Sequence, residues 1–299
     1  VFAGAGSGKT RVIVHRIARL IEEGGLPAHR ILAVTFTNRA AREMAERCER
    51  LLPGTAGRVW FGTFHAICAR LIRTFAADLG MRRDFVIYDD ADQRAAVQRA
   101  MRELDVSEKR LRPRTLASAI SRLKQAGTPP EAMHPRSPFE QVLQRVYERY
   151  ERALRSASAF DFADLVGYLP ARFDEDDSLR QQVASRFDAL LVDEFQDTNT
   201  VQYRFIQHLS RDHRSLCVVG DDDQSIYRWR GADRHNIRLF REDFPDAKVV
   251  LLEQNYRSTQ AILNVANAII VHSSDRESKR LWTDNPEGAQ VRLWCCHDG

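Results

Sequence analysis

The sequence has no run of 18 or more apolar residues, and its first residues do not combine positive charge with an apolar stretch. Neither a membrane-spanning helix nor a secretory leader is therefore expected. Hydrophobic residues make up 43% and charged residues 29% of the 299 positions, the balance of an ordinary globular protein with a substantial core. We expect a cytoplasmic protein with one large domain or two to three smaller ones.

Cysteine is scarce as well. The chain has five cysteines, an odd number without a CxxC pair: Cys48, Cys68, Cys217, Cys295 and Cys296. Reduced thiols with a structural role are expected. Cys295 and Cys296 are not expected to share a metal ion, because neighbouring residues of a strand face opposite ways.

Charge is unevenly distributed, although the net charge is only +4. Between residues 94 and 155, fourteen lysines and arginines stand against seven acids, and between residues 159 and 198, ten acids stand against three arginines. This asymmetry favours a protein that binds a polyanion with one part and performs divalent-metal chemistry with another. Solvated helix faces would give a similar count, so the pattern alone does not decide.

Strand and helix patterns alternate along much of the chain, which predicts an α/β fold with a parallel sheet. Val1 and Phe2 have the character of a strand whose beginning is missing. Further strands are predicted over residues 31–37, 59–63, 189–192, 215–220, 248–253 and 290–295. Helices are predicted over residues 9–23, 39–52, 64–79, 201–210 and 258–270.

Residues 89–158 break this alternation. They show helical periodicity without a convincing strand, and prolines interrupt them at 113, 129–130 and 135–138. We interpret this stretch as an inserted all-helical subdomain. The predicted domains are residues 1–88 and 159–250 for the first unit, 89–158 for the insertion and 251–299 for the start of a second unit.

Residues 3–10 have the form of a phosphate-binding loop that ends in Gly-Lys-Thr where a predicted helix begins. Such a loop turns backbone N–H groups around phosphates, and its three glycines permit a tight path with positive φ. Lys9 would neutralise β- and γ-phosphate charge, and the Thr10 hydroxyl would bind Mg²⁺. The predicted nucleotide-binding residues are Ala3, Gly4, Ala5, Gly6, Ser7, Gly8, Lys9 and Thr10.

A second set of ligands follows the strand predicted over residues 189–192. Asp193 and Glu194 stand at its C-terminal end, the edge where ligands gather in open α/β sheets. Asp193 is predicted to complete the Mg²⁺ site, and Glu194 to take the proton of an attacking water. The pair favours hydrolysis over phosphoryl transfer, because a kinase must keep water away. A metabolite kinase is therefore the weakest alternative.

Residues 220–231 combine two unrelated chemistries. Gln224 follows an acidic turn and suits a phosphate oxygen or a water bound beside it. Tyr227, Trp229 and Arg230 suit stacking on bases and contact with backbone phosphates. Taken alone, the segment is equally compatible with an acidic turn and a half-buried strand whose aromatic residues belong to the core.

Six motifs stand in the order found in superfamily 1 DNA helicases. They occupy residues 3–10, 35–41, 62–65, 192–197, 220–232 and 254–259. Across almost its whole length the sequence resembles the UvrD/Rep/PcrA helicases. The resemblance implies two RecA-like domains with helical insertions, the cofactors ATP and Mg²⁺, and 3′-to-5′ translocation along single-stranded DNA with unwinding at single-strand/duplex junctions. DNA-repair or replication proteins would be its partners.

The resemblance also implies roles for individual residues. Gln224 would contact the γ-phosphate or the attacking water, Arg11 would lie near the nucleotide, and Tyr256 would stack on adenine. Arg257 would reach the nucleotide from the second RecA-like domain and stabilise transition-state charge. The positions that match DNA contacts are Phe36, Thr63, His65, Tyr227, Trp229 and Arg230. The basic helical stretch corresponds to the family's subdomain 1B, which helps to guide DNA.

Two departures from the family pattern keep alternatives open. The chain begins after the family's adenine-recognising glutamine element and ends soon after residues 254–259, so most of the second RecA-like domain is expected to be missing. The protein is therefore interpreted as the N-terminal part of an ATP-dependent helicase, as an ATP- and DNA-binding module with little turnover, or as the motor of a helicase-nuclease.

Overall fold

The computed structural model of the protein describes residues 1–212, 215–226, 231–233, 235–272 and 279–294. The strands are β1 (Phe2–Ala3), β2 (Ile31–Thr35), β3 (Trp60–Thr63), β4 (Val86–Ile87), β5 (Ala159–Phe160), β6 (Ala189–Val192), β7 (Leu216–Val218) and β8 (Leu251–Leu252). The helices are α1 (Lys9–Glu22), α2 (Asn38–Leu51), α3 (Phe64–Thr74), α4 (Asp90–Glu103), α5 (Pro113–Gln125), α6 (Pro138–Ser156), α7 (Phe162–Glu175), α8 (Asp177–Ala184), α9 (Thr200–Ser210), α10 (His235–Asp243) and α11 (Gln260–Ile270). The predicted mixed α/β class with a parallel sheet is confirmed.

The main sheet is parallel and has the strand order β3, β2, β6, β7. A second parallel pair, β1 with β8, lies next to it. The two are joined where Phe2 bridges to Gly220, and the Ala3 N–H donates to the Gly220 carbonyl at 2.9 Å. The phosphate-loop strand and the chain leaving β7 are thereby side by side.

The residues of β2 show why helices cover both faces of the main sheet. All five are buried, and successive side chains point to opposite faces. Leu32 and Val34 pack with α3, α7 and α9, whereas Ile31 and Ala33 pack with α1 and α2. Each fully buried Leu or Ile contributes about 1.5–3 kcal/mol relative to exposure, so a continuous apolar strand is the sequence that a doubly covered sheet requires.

Residues 89–158 form helices α4, α5 and α6 around a separate core that contains Val97, Ile120 and Tyr150. The chain enters this segment through β4 and leaves through β5, and these two strands pair in parallel. Two of the prolines that interrupt the sequence pattern start α-helices. Pro113 and Pro138 are the first residues of α5 and α6, where a fixed φ and a missing N–H are tolerated.

Several elements differ from the predictions. The sequence patterns did not identify α7, α8 or α10. The strand predicted over residues 290–295 is wrong for residues 290–294, which have no regular structure. Leu293 is 90% exposed and Trp294 is 80% exposed, so neither side chain is packed like the buried residues of β2.

The cysteines of the described residues form no disulfide bonds. Cys48, Cys68 and Cys217 are free thiols, as predicted, while Cys295 and Cys296 lie outside the described residues. Among the described residues, none of the helices combines the length and apolar content that crossing a membrane requires.

Candidate functional site

The phosphate loop connects the end of β1 to the start of α1. Gly6 has φ +70° and Gly8 has φ +94°, the left-handed region that glycine adopts without strain. Gly8 is the N-cap of α1, so the loop leads directly into the helix N-terminus, whose first N–H groups have no partner within the helix. Ser7 closes the turn by donating from Oγ to the Gly4 carbonyl at 2.7 Å.

Gly4 corrects the prediction that all three glycines serve a positive-φ path, because its φ is not positive. Its lack of a side chain provides space. A Cβ added at Gly4 would lie 2.3 Å from Leu281 Cδ2, so the loop is packed against residues close to the C-terminal end of the described chain.

The two carboxylates that follow β6 lie beside the start of α1. The Thr10 hydroxyl donates to Asp193 Oδ2 at 3.5 Å, and Lys9 Nζ lies 3.5 Å from Glu194 Oε2. Glu194 has φ +49°, a left-handed conformation that is uncommon for a residue with a side chain. That turn directs the chain away from the sheet immediately after β6 and keeps both carboxylates at its edge.

The donor set at this edge fits a magnesium ion. Burial, together with the nearby charge of Glu194, raises the pKa of Asp193 to about 6, and a cation beside it would favour the ionised form. The Thr10 hydroxyl and the Asp193 carboxylate are the hard oxygen ligands that Mg²⁺ prefers. These two predicted ligands are close enough to bind the same ion.

Gln196 is a part of the site that the sequence analysis did not assign. Its side chain is buried, its Nε2 donates to Glu194 Oε2 at 2.9 Å, and its Oε1 accepts from the Asp221 N–H at 2.9 Å. It therefore links the Glu194 carboxylate to the turn that carries Gln224. The only sequence signal was its place within the motif of residues 192–197.

Gln224 closes a short 3-10 turn, Asp222–Gln224. It is half-buried, and its Nε2 donates to Asp221 Oδ2. The residues that follow this turn and were predicted to contact DNA lie outside the described residues. They are Tyr227, Trp229 and Arg230.

Residues 254–259 lie directly on the phosphate loop. The buried Asn255 side chain donates to the Ala5 carbonyl at 2.5 Å and accepts from the N–H groups of Arg257 at 2.8 Å and Ser258 at 2.7 Å. The Tyr256 N–H donates to the Gly6 carbonyl at 3.0 Å. The segment that carries Arg257 is thus anchored to the loop through its backbone, and Asn255, which sequence analysis did not assign, is the anchor.

The predicted nucleotide contacts at the rim of the site are exposed. Tyr256 is 62% exposed, and its hydroxyl donates to Gln254 Oε1 at 2.8 Å. Arg257 and Arg11 are also exposed. These side chains are accessible to a ligand that occupies the loop.

A cleft of about 690 Å³ lies between the sheet and the helices of residues 89–158. Phe36 and His65 line it, as do the arginines Arg94, Arg114 and Arg122 together with several aspartates. Burial lowers the pKa of His65 below its ordinary value, so this ring is neutral at physiological pH. The lining of the cleft therefore combines aromatic rings, guanidinium groups and carboxylates.

Thr63 stands apart from these cleft residues. It is buried, and its Oγ1 accepts from the Ala66 N–H at 3.2 Å as the N-cap of α3. The geometry gives it a capping role.

Comparison with known proteins shows the family of the chain. A family model described as "UvrD/REP helicase N-terminal domain" matches residues 1–245. The ATP-dependent DNA helicase PcrA of Staphylococcus epidermidis is 44% identical over 296 residues, which cover 98% of this chain and 41% of the relative. The PcrA of Staphylococcus aureus strain Mu50 is 42% identical, with 98% and 40% covered. The chain spans about two fifths of the length of these curated relatives. It belongs to the UvrD/Rep helicase family, and residues 1–245 correspond to that family's N-terminal domain.

Proposed function

We propose that the chain is the ATP-hydrolysing and DNA-binding part of a PcrA-like helicase that moves 3′ to 5′ along single-stranded DNA and unwinds single-strand/duplex junctions. One observation carries the proposal: the phosphate loop and the β6 carboxylates meet at the first turn of α1. Lys9 lies 3.5 Å from Glu194, and Thr10 lies 3.5 Å from Asp193. A phosphate cradle, a pair of magnesium ligands and a candidate base in one place favour nucleotide hydrolysis.

In this proposal Thr10 and Asp193 hold Mg²⁺, which supplies charge neutralisation at the phosphates when it is bound. Lys9 exchanges its pairing with Glu194 for the β- and γ-phosphate oxygens. Glu194 then accepts the proton of the attacking water, because its carboxylate is released while Gln196 still orients it.

Two further side chains complete the proposed chemistry. Gln224 senses the γ-phosphate or the attacking water. Arg257 stabilises the charge of the transition state, an effect worth about 10³- to 10⁵-fold in GTPases. Its segment is already anchored to the phosphate loop, which supports this assignment.

The proposed domain arrangement follows the family. Residues 1–88 and 159–250 form a first RecA-like domain, residues 89–158 form its helical insertion, and residues 251–299 begin a second RecA-like domain. The boundary between residues 250 and 251 falls directly before β8, which pairs with β1. Strand pairing would therefore hold the start of the second unit beside the phosphate loop.

The cleft between the sheet and the helical segment is the proposed path for DNA. Phe36, His65 and the three arginines Arg94, Arg114 and Arg122 line it, together with four aspartates. Rings stack on bases of any sequence, and guanidinium groups bind backbone phosphates, which suits a translocase that must be indifferent to sequence. Repair or replication proteins are proposed as partners, and the cytoplasm as the location.

A second candidate function is an ATP- and DNA-binding module with little turnover. The observation that favours it is the cover over the phosphate loop, where Leu281 and residues 255–257 contact Gly4 and Gly6. On this interpretation the contacts hold the loop in one arrangement, so that bound nucleotide is hydrolysed slowly. A motor and a module therefore differ in whether DNA accelerates ATP hydrolysis.

DNA binding by the proposed aromatic segment can be tested with Trp229→Ala. We expect the variant to bind a fluorescent oligothymidine more weakly by about 1–3 kcal/mol, the stacking contribution of one base, without losing DNA-free ATP binding. Fluorescence anisotropy of the labelled oligothymidine at several salt concentrations measures the affinity for DNA. A fluorescent ATP analogue measures the affinity for ATP without DNA. Trp294→Ala is the matched control, because Trp294 is 80% exposed and does not line the cleft.

Three outcomes separate the interpretations of Trp229. Selective loss of DNA affinity supports the base-stacking role. Affinity equal to wild type would remove Trp229 from the DNA path, and an unfolded variant would assign the ring to the core instead.

A further inference from the structure

A buried lysine from the C-terminal part of the chain lies among three consecutive aspartates. The Lys279 side chain is 2% exposed, and its Nζ lies 2.8 Å from Asp221 Oδ1 and 2.9 Å from Asp223 Oδ2. It also pairs with Asp222. Oxygens of the three carboxylates lie within 4.8 Å of one another, an arrangement that could otherwise bind a metal ion. Here the ammonium group of the same chain contacts all three.

Asp221 connects this cluster to Gln224. Its Oδ2 accepts from Gln224 Nε2, and its carbonyl accepts from the Gln224 N–H at 2.9 Å. Its own N–H donates to Gln196, which donates to Glu194. Because Lys279 holds one oxygen of Asp221 and Gln224 bonds to the other, the orientation of the Gln224 amide depends on the lysine.

The charges explain why a cation is needed at this position. Three carboxylates within a few ångströms repel one another strongly when they are shielded from water. Burial lowers the pKa of Lys279, but the hydrogen bonds to Asp221, Asp222 and Asp223 outweigh it and hold the pKa above its ordinary value. The lysine is therefore charged at neutral pH and stabilises the turn.

The residues that follow Lys279 contact the other parts of the nucleotide site. Leu281 packs against Gly4 of the phosphate loop. The carbonyl of Trp282 accepts from the Asn255 N–H at 2.7 Å, and Thr283 Oγ1 donates to the Asn255 carbonyl at 2.6 Å. One short segment, residues 279–283, thus touches the Gln224 turn, the phosphate loop and the arginine-bearing segment.

We propose that Lys279 is a positioning residue for ATP hydrolysis, which orients Asp221 so that the Gln224 amide is set for the γ-phosphate. It also ties that orientation to the arginine-bearing segment 254–259. The inference rests on the proposed function, because the setting of Gln224 affects a rate only if the site hydrolyses ATP. The lysine acts through Gln224 and not on the nucleotide directly.

A double-mutant cycle between Lys279 and Gln224 tests the inference. Lys279→Met is expected to lower kcat on the order of 100-fold, the cost of a misplaced catalytic group, with KM for ATP little changed. In a Gln224→Ala background the same substitution should have no further effect on kcat. Equal losses in both backgrounds would show a general structural role and overturn the inference. Lys248→Met is the control, because Lys248 is exposed.

A second measurement does not depend on turnover. Hydrogen exchange of the amides of residues 221–224 should be at least about tenfold faster in Lys279→Met than in wild type, because the turn opens more often. Unchanged exchange overturns the inference whether or not ATP is hydrolysed. A second outcome is that exchange is faster in Lys279→Met although the wild-type protein hydrolyses no ATP. The missing hydrolysis then contradicts the proposed function, and the faster exchange still supports the link between Lys279 and the turn.

The double variant Asp222→Asn/Lys279→Met keeps the test available if Lys279→Met does not fold. It removes one of the repelling carboxylates together with the ammonium group. Relative to Asp222→Asn alone, the double variant should show the loss of kcat and the faster amide exchange that are expected of Lys279→Met relative to wild type. Equal behaviour of these two proteins would also overturn the inference.

Discussion

Replacing Glu194 with glutamine is expected to slow ATP hydrolysis by about 10²- to 10⁴-fold, the usual contribution of a general base. Glutamine has the same shape, and its amide oxygen can still accept from Gln196 Nε2, which lies 2.9 Å from the present carboxylate. What it cannot do is take a proton from water. ATP should therefore still bind, and the loss should appear in kcat.

Phosphate release under saturating ATP measures this effect, and a fluorescent ATP analogue measures binding. Glu23→Gln is the control, because Glu23 is exposed and pairs only with Arg19 on the surface of α1 in the described structure. A Glu194→Gln protein with near-normal hydrolysis would show that another group accepts the proton.

Replacing Lys9 with alanine is expected to reduce the rate of ATP hydrolysis by about 10²- to 10³-fold. This is the usual cost of removing one preorganised group that stabilises negative charge developing in the transition state. The side chain is only 11% exposed and is held at the helix start, 3.5 Å from Glu194. Without it, the phosphates lose a counter-charge in both the ground state and the transition state, so weaker ATP binding is expected as well.

Steady-state kinetics over a range of ATP concentrations would separate the two losses for Lys9→Ala. Lys248→Ala, at an exposed position, serves as the matched control. Activity close to wild type in Lys9→Ala would contradict the assignment of residues 3–10 as the phosphate loop.

The core of the candidate site was predictable because its signals are local. Gly8, Lys9 and Thr10 are consecutive, and a strand before them and a helix after them are enough to place all three at the start of α1. Asp193 and Glu194 needed only the recognition of a buried strand before them. Parallel strands then bring these two separate segments to the same edge, and the contacts of Thr10 and Lys9 agree with that expectation.

The rest of the site depends on contacts between residues far apart in sequence. Asn255 bonds to Ala5 across 250 positions, and Lys279 pairs with Asp222 across 57. Asparagine and lysine are common surface residues. The motif of residues 254–259 includes Asn255 but gives no sign of its role, and Lys279 lies outside the six motifs. Their burial and hydrogen bonds become visible only when the chain is folded.

Composition also proved a weak guide to chemistry. Of the acids in residues 159–198, Asp161 and Asp176 cap helices α7 and α8, and Asp188 pairs with Arg30. Lys124, which contributes to the basic stretch, is buried and lies 2.9 Å from Asp161. Helix capping and internal ion pairs use the same residue types as metal sites and DNA-binding surfaces, so the counts of acidic and basic residues did not separate these roles.

The proposed coupling of ATP hydrolysis to single-stranded DNA is tested by the hydrolysis rate of the purified protein with Mg²⁺ as oligothymidine is added. Glu194→Gln provides the background. We predict a rate that rises with DNA, saturates, and disappears in the variant. A rate that stays at the level of the variant at every DNA concentration would contradict the motor and leave an ATP- and DNA-binding module.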